Sequence, residues 1–482
     1  MLPQIWPAVL TLGWILLVIA AAEAMMALVS LAAGDGLVAA FAVNAAITAG
    51  VAVGCVLTTK GRPFDLRFRD AALLTVLLWV VVPAFAGLPL LAEPIGLGAA
   101  DAYFEAVSGI TTTGSTVMAG LDNLPPSILL WRSTIQWLGG FGIIALAIVI
   151  LPFLKIGGMA LFRLESSDRS EKALSGVRGV AGAVGQIYLG LTIACFTTYW
   201  LLGMTPFDAL NHAFTSIPTA GFSTHDASFG HFQSPALRWA GVVFMLSGAL
   251  PFLAYVRLLR RGGWRNGIEP QIIVLGTMLA VFTAVMAIWL WATDRYPLFD
   301  AATEAAFNIT SVVTTTGYAS ADYGNWGAFA VTSFFLFMFL GGGTGSTSGG
   351  LKTFRLMVMA AIARQHIRQT IRPHVVVPLR YGSRLIAEDQ AASVGTFVFL
   401  YFCVFAVVTA LLAALGLDMV TALSAAAQAV GNVGPGLGPV VGPAGNFASL
   451  PDAAKLILAA TMILGRLEIL SVLLLFVPSF YR

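Results

Sequence analysis

The sequence predicts an all-α polytopic membrane protein in which two N-terminal spans precede four pseudo-symmetric M1–pore helix–M2 repeats around one pore. Three observations lead there. Of 482 residues, 58% are hydrophobic and 10% charged, whereas an ordinary soluble domain is about half apolar and a quarter charged. Apolar stretches of about 20 residues, enough to cross a hydrocarbon core about 30 Å thick, recur along the whole chain. A short motif returns four times at module-length spacing, which outweighs any single motif.

Two helices, over about 7–32 and 37–58, open the chain around the turn AAGDG. The run from Trp6 to Leu31 lacks a basic leader and is longer than a signal-peptide core, so it reads as a retained span. After it a long apolar helix, a shorter and less apolar segment, a Thr/Gly-rich turn and a second long helix ending in basic residues occur in succession, four times over. The turns align without gaps on one glycine each: AVSGITTTG ending at Gly114, AFTSIPTAG at Gly221, ITSVVTTTG at Gly317 and AAQAVGNVG at Gly434. These anchors lie 107, 96 and 117 residues apart. Four positions before them stand Ile110, Ile217, Val313 and Val430, and thirteen before them Asp101, Asp208, Glu304 and Thr421. The chain therefore divides into the two leading helices (1–66) and repeats over 67–178, 179–266, 267–384 and 385–482.

Two spans plus four pairs make ten crossings, an even number. Twenty of the 26 Lys and Arg fall in four clusters: Lys60 to Arg69, Lys155 to Arg178, Arg257 to Arg265 and Lys352 to Arg384. By the positive-inside rule these loops are cytoplasmic. The intervening loops carry Glu93, Asp101, Asp208 and Asp226 and face outward. Both termini, Arg482 included, are then expected in the cytoplasm. Basic loops of this kind are topology signals, so no nucleic-acid partner is expected.

The segments before the turns are too short to span, so they are expected to enter the membrane and turn back. Such backbone is tolerated at membrane depth only where protein buries it or water bathes it. An acid at three of the four outer ends suits the cap of a helix N-terminus. The negative helix ends then point at the membrane centre, where a cation gains. In each turn, glycine permits backbone angles that aim successive carbonyls at one axis, and the residue two before it can add a side-chain oxygen. A ring of carbonyls replaces the water shell of a dehydrated ion. The candidate selectivity filter is Thr112, Thr113 and Gly114, Thr219, Ala220 and Gly221, Thr315, Thr316 and Gly317, and Asn432, Val433 and Gly434. It has no charged side chain, which favours a monovalent ion over calcium or magnesium.

The second helix of the third repeat is interrupted by FLGGGTGSTSGGLKTFR, 339–355. Its core contains only Gly, Thr and Ser: Gly341, Gly342, Gly343, Thr344, Gly345, Ser346, Thr347, Ser348, Gly349 and Gly350. Such a stretch cannot face lipid as a stable helix, and it suits a movable plug beneath the filter, or else a close small-residue helix crossing. Arg466, in LILAATMILGRLEIL, lies deep in an apolar span. An intramembrane charge is costly and points to function: facing the pore, it forms a barrier to cations, the alternative being a structural salt bridge. Glu468 lies on a different helix face and is expected to pair elsewhere, and Glu23 reads as an interhelical polar contact.

His212, His225, His231, His366 and His374 show no metal-ligand spacing, so solvated or capping roles are expected. Cys55, Cys195 and Cys403 sit far apart in apolar runs, as small buried hydrophobes. GSTSGGLKT at 345–353 is not a P-loop, because Leu351 separates the second glycine from the lysine and no strand precedes it. No paired acid–base set, nucleophile motif or metal set marks an enzyme.

Four M1–pore–M2 modules with single filter glycines, GGGTGSTSGGLKTFR in the third M2, GRLE in the fourth and GNVGPGLGPV after the fourth pore helix resemble the Trk/Ktr/HKT potassium transporter superfamily. The two extra N-terminal spans look like its TrkH branch. The resemblance covers essentially the whole chain. It implies potassium uptake across the cytoplasmic (inner) membrane through a gated, K+-selective pore, with 341–350 as the gating loop and Arg466 beneath the filter. In this family a serine at the first filter glycine goes with sodium permeation; Gly114 stands there, so potassium is expected. The resemblance also implies a homodimer with one pore per subunit, and a cytosolic TrkA-type ring on the basic inner loops that binds the nucleotide, which this chain does not. Asn432 departs from the Thr-x-Gly pattern. A proton- or sodium-coupled symporter is the alternative, for which the filter offers no obvious titratable site.

Overall fold

In lipid every backbone N–H and C=O must find its partner within the chain, so apolar runs of this length form helices. The computed structural model describes residues 5–62, 68–149, 173–261 and 269–478. Helices α1 (Ile5–Ala33) and α2 (Val38–Thr59) pack along one another. The Ser30 hydroxyl accepts the Leu37 N–H at 3.0 Å and closes their turn. Asp35, at the tip, accepts the Ser127 N–H at 3.1 Å and ties this hairpin to the first repeat.

That repeat comprises α3 (Phe68–Ala86), α4 (Ala99–Ile110) and α5 (Pro126–Val149). The second comprises α6 (Ala173–Leu201), α7 (Pro206–Ser216), α8 (Pro235–Ala249) and α9 (Phe252–Arg261). The third has α10 (Pro270–Ala292), α11 (Leu298–Val313), α12 (Ala328–Phe337) and α13 (Thr353–Ile371), and the fourth α14 (Glu388–Ala414), α15 (Met419–Gly431), α16 (Asp452–Arg466) and α17 (Leu470–Leu473). Two-residue strands β1 (Leu340–Gly341) and β2 (Leu351–Lys352) pair in parallel; β3 (Arg380–Tyr381) and β4 (Arg384–Leu385) pair antiparallel.

The short helices α4, α7, α11 and α15 are the half-helices that the repeat predicts, and they form the buried centre. Each packs on the first long helix of its own repeat, and α4, α7 and α11 also pack on the second long helix of the preceding repeat: α4 on α16, α7 on α5, α11 on α8. The preceding repeat of the first is the fourth, so the order closes on itself.

Among the described residues, six helices are long and apolar enough to cross a membrane unbroken, and two bent pairs make eight. The ten crossings that the sequence predicts also count α5 and the divided α12–α13, which do not meet that criterion. The breaks correct the reading of two spans as continuous. Between α8 and α9 the chain bends by 89° at Leu250 and Pro251, and between α16 and α17 by 104°. Proline lacks the N–H that would continue the ladder, and it drives the residue before it into extended backbone; Leu250 has φ −80° and ψ 152°.

The acids at the outer ends behave differently from helix caps. Thr205 caps α7 by accepting the Asp208 N–H at 3.1 Å, and Asp418 caps α15 through Val420 and Thr421. Asp101, by contrast, pairs with Lys455 of α16 at 2.5 Å, and Glu304, midway along α11, pairs with Arg238 of α8 at 2.5 Å. Both therefore join neighbouring repeats. Module boundaries expected at 66/67 and 266/267, most of the Lys155 to Arg178 cluster and Arg482 lie outside the described residues; the expected divisions at 178/179 and 384/385 fall inside α6 and β4. The three cysteines are unpaired, Cys195 buried and Cys55 and Cys403 partly so.

Candidate functional site: four converging turns and the loop behind them

At the C-terminal end of each half-helix the backbone repeats one unusual conformation. The residue two before the anchor is left-handed in all four turns: Thr112 at φ 52°, Thr219 at 52°, Thr315 at 57° and Asn432 at 54°. The anchors follow at φ 88°, 81°, 88° and 109° for Gly114, Gly221, Gly317 and Gly434. A β-branched threonine at positive φ is a genuine outlier, held only where surrounding structure over-determines it.

The four turns meet. A Cβ on Gly114 would lie 2.3 Å from the Ala220 oxygen, on Gly221 2.0 Å from that of Thr316, on Gly317 2.4 Å from that of Val433, and on Gly434 2.9 Å from that of Thr113. Each glycine thus abuts the carbonyl just before the next repeat's glycine, and the series closes from the fourth repeat to the first. All four glycines line one small cavity, together with Ser115, Arg132 and His225. Twelve expected filter residues are thereby brought to one place.

Side chains that the sequence reading missed brace these turns. Arg132 is 1% exposed and Glu105 fully buried; the Arg132 Nε donates to Glu105 Oε1 at 2.9 Å, while its other nitrogens reach the Ser223 carbonyl and the Thr116 hydroxyl, both at 3.1 Å. Glu105 Oε2 accepts the Val117 N–H at 2.9 Å. One ion pair therefore holds the strands leaving the first and second turns. Gln136 holds the second from both sides, donating to the Ala220 carbonyl at 2.7 Å and accepting the Phe222 N–H at 3.0 Å. Arginine in the midst of WRSTIQW was the available signal. Removing one partner of a buried pair strands the other charge and costs about 3–5 kcal/mol. Glu105→Ala and Arg132→Ala are each expected to destabilise by about that much, with the double variant losing clearly less than the sum. Thermal unfolding in detergent checks this, and strict additivity would refute the coupling.

Behind the turns lies the loop 341–350. The paired β1 and β2 close its base, and its polar atoms dock on the second and third turns. The Thr347 hydroxyl meets that of Thr219 at 3.1 Å, the Ser348 hydroxyl meets that of Thr315 at 3.1 Å, and the Gly349 N–H donates to Thr315 Oγ1 at 2.7 Å. The break after α8 supplies the rest: its freed carbonyls at Gly248 and Ala249 accept the Thr347 hydroxyl at 2.9 Å and the Gly343 N–H at 2.8 Å. The stretch is buried, as its composition predicts, with Ser346, Thr347 and Ser348 at most 1% exposed.

Arg466 ends α16, 7% exposed, and donates through Nη2 to the Thr347 carbonyl. Its Nε and Nη1 have no hydrogen-bond partner among the described residues. Glu468, at φ 57°, pairs with Arg355 at 2.5 Å and not with Arg466; pairing elsewhere was expected, the helix break was not. Lys352 donates to the Ser348 carbonyl. These cations line a second cavity behind the loop, with Gly349, Gly350 and Glu468. Asn432 donates to Thr113 Oγ1 and to the Met462 carbonyl, both at 2.9 Å, so the fourth turn is anchored differently from the second and third, whose hydroxyls meet the loop. Glu23 is fully buried beside Thr48.

The histidine expectation needs correction. His212 is fully buried, its ring nitrogens 2.9 Å from the Asp208 carbonyl and 3.0 Å from Ser223 Oγ. Tertiary structure also brings His225 and His231 against Asp122, a contact no local spacing announces because the aspartate belongs to the preceding repeat.

The sequence profile of the TrkH family, described as a cation transport protein, matches residues 37–480. The chain is 45% identical over 476 residues to the Trk system potassium uptake protein TrkI of Halomonas elongata, covering 98% of this chain and 96% of that one. It is 36% identical to the Trk system potassium uptake protein TrkH of the same organism, covering 98% of each. The crystal structure of the potassium transporter TrkH from Vibrio parahaemolyticus superposes with a TM-score of 0.91 at 33% identity, over 99% of this chain and all of that one.

Proposed function

This chain belongs to the TrkH family of cation transport proteins, and from that premise we propose that its four turns are the potassium-selective filter of a gated, channel-like uptake pathway. Potassium uptake across a membrane is its function, and a cation transport family stands with transporters rather than enzymes. The observation that carries the filter assignment is the closed series of glycine-to-carbonyl approaches around four left-handed turns. Carbonyl rings without carboxylates coordinate a dehydrated monovalent cation, so Thr112 to Gly114, Thr219 to Gly221, Thr315 to Gly317 and Asn432 to Gly434 are the residues that hold it.

The loop 341–350 and Arg466 close this pathway on the inner side. The loop's hydroxyls occupy the second and third turns from behind, and the guanidinium holds the loop at Thr347. Basic loops place both termini in the cytoplasm of a cell whose inner membrane the chain spans. The relatives are components of a Trk system, and the exposed Arg364 and Arg368 of α13, with Arg372 just beyond its end, present a positive surface to a nucleotide-binding TrkA-type ring. A homodimer with one pore per chain completes the assembly.

The deciding experiment is cation flux into liposomes holding the purified chain, under set voltage, with potassium or sodium as the permeant ion and pH varied. Potassium flux that exceeds sodium flux and reverses at the potassium equilibrium potential at every pH is expected. A reversal potential that follows pH or sodium would replace this reading with a coupled symporter.

A further inference from the structure

Two outer loops meet beside the filter cavity. Residues 121–123 of the first repeat form a single helical turn, as do 228–231 of the second. Asp122 Oδ1 lies 2.5 Å from His225 Nδ1, Asp122 Oδ2 accepts the Asp226 N–H at 3.3 Å, and Asp226 Oδ1 accepts the Leu121 N–H at 3.1 Å. The imidazoles of His225 and His231 stack with centroids 3.5 Å apart and planes within 2°. One ligand atom from each of Asp122, His225 and His231 falls within 4.8 Å of the others.

We propose that Asp122, His225 and His231 bind a divalent transition-metal cation of the zinc type at the outer mouth, and that its binding clamps the two loops and slows potassium entry. Two imidazole nitrogens and one carboxylate oxygen are a usual zinc donor set, with the fourth position left to water. Bonds of about 2.0–2.2 Å in a tetrahedral site need ligand atoms about 3.3 Å apart, so the widest separation, at most 4.8 Å, closes by up to about 1.5 Å. Lone pairs lie in the ring plane, so one ring must turn out of the stack. His231 is exposed at the end of its turn and has the room, while His225 is held by Asp122. His225 Nε2 is buried, has no hydrogen-bond partner among the described residues, and sits 3.4 Å from Asp208 Oδ1. Local charge favours a cation, since Asp122, Asp208 and Asp226 surround the pair and the charge of Arg132, across the cavity, is matched by Glu105. His225 and Asp226 line the same cavity as the four glycines, so a clamp there acts where ions enter.

The test is zinc binding to the purified full-length chain by competition with a chromogenic chelator, and potassium uptake by expressing cells with zinc chloride outside only. One tight zinc per wild-type chain is expected, with affinity at least about tenfold weaker in His231→Ala and largely kept in His231→Cys, which retains a ligand. External zinc should slow uptake in wild type and spare His231→Ala, whose uptake without zinc stays normal. Absence of tight zinc binding, or equal affinity in wild type, His231→Ala and Asp122→Asn, overturns the site. Tight binding that leaves uptake unchanged overturns the clamp.

Discussion

Replacing Gly317 with serine is expected to reduce potassium flux at least about tenfold and to erase most discrimination against sodium, because about 1.4 kcal/mol suffices for each factor of ten. A side chain there has nowhere to go. The new Cβ would lie 2.4 Å from the Val433 carbonyl oxygen and 3.1 Å from Pro435 Cδ, and φ is +88°. Left-handed backbone costs a non-glycine residue about 1–3 kcal/mol, and the clash falls on a carbonyl of the ring itself. The structure can relieve both only by moving the oxygens that replace the ion's water. Gly114 repeats the situation against the Ala220 oxygen at 2.3 Å, so Gly114→Ser should behave likewise. Paired potassium and sodium fluxes in liposomes measure this. Wild-type selectivity in both variants would remove the four turns from the selection of the ion.

Replacing Arg466 with alanine should act in the opposite direction and raise flux. The guanidinium has two separable effects. It holds the apex of the loop through the Thr347 carbonyl, and Thr347 in turn meets Thr219 of the filter. It also leaves positive charge on the proposed ion path, because Glu468 is taken by Arg355. Two unit charges about 6 Å apart at an effective dielectric of about 20 repel by about 2.8 kcal/mol, about a hundredfold in rate. Removing the arginine relieves that repulsion and frees the loop, so flux by the isolated chain should rise severalfold or more. Deleting 343–348 tests the loop without touching the charge and should raise flux as well. Unchanged flux in both variants would show that neither closes the pathway.

Much of this was legible because its signals are local or periodic. The span lengths follow from hydrophobic runs, and the four turns follow from a motif recurring at Gly114, Gly221, Gly317 and Gly434. The Gly/Thr/Ser composition of 341–350 was enough to exclude a lipid-facing helix. The errors have equally physical origins. Asp101 and Glu304 sit where a cap is plausible, yet Lys455 and Arg238 arrive from other repeats and take them. Pro251 was visible, but apolar neighbours on both sides hid the 89° turn that frees two carbonyls for the loop.

The sequence by itself determined that this chain lives in lipid, that one turn motif recurs four times along it, and that those turns carry no charged side chain. Each rests on composition or spacing within one module, and lipid leaves an apolar segment little choice but a helix. Only the tertiary structure decided which atoms meet across modules: the ring of glycine-to-carbonyl approaches, the Glu105–Arg132 brace, the pairing of Glu468 with Arg355 rather than Arg466, and the meeting of Asp122 with His225 and His231. Those contacts join residues up to hundreds of positions apart, and they depend on closing four unequal repeats around one axis, a constraint that no single stretch of sequence contains.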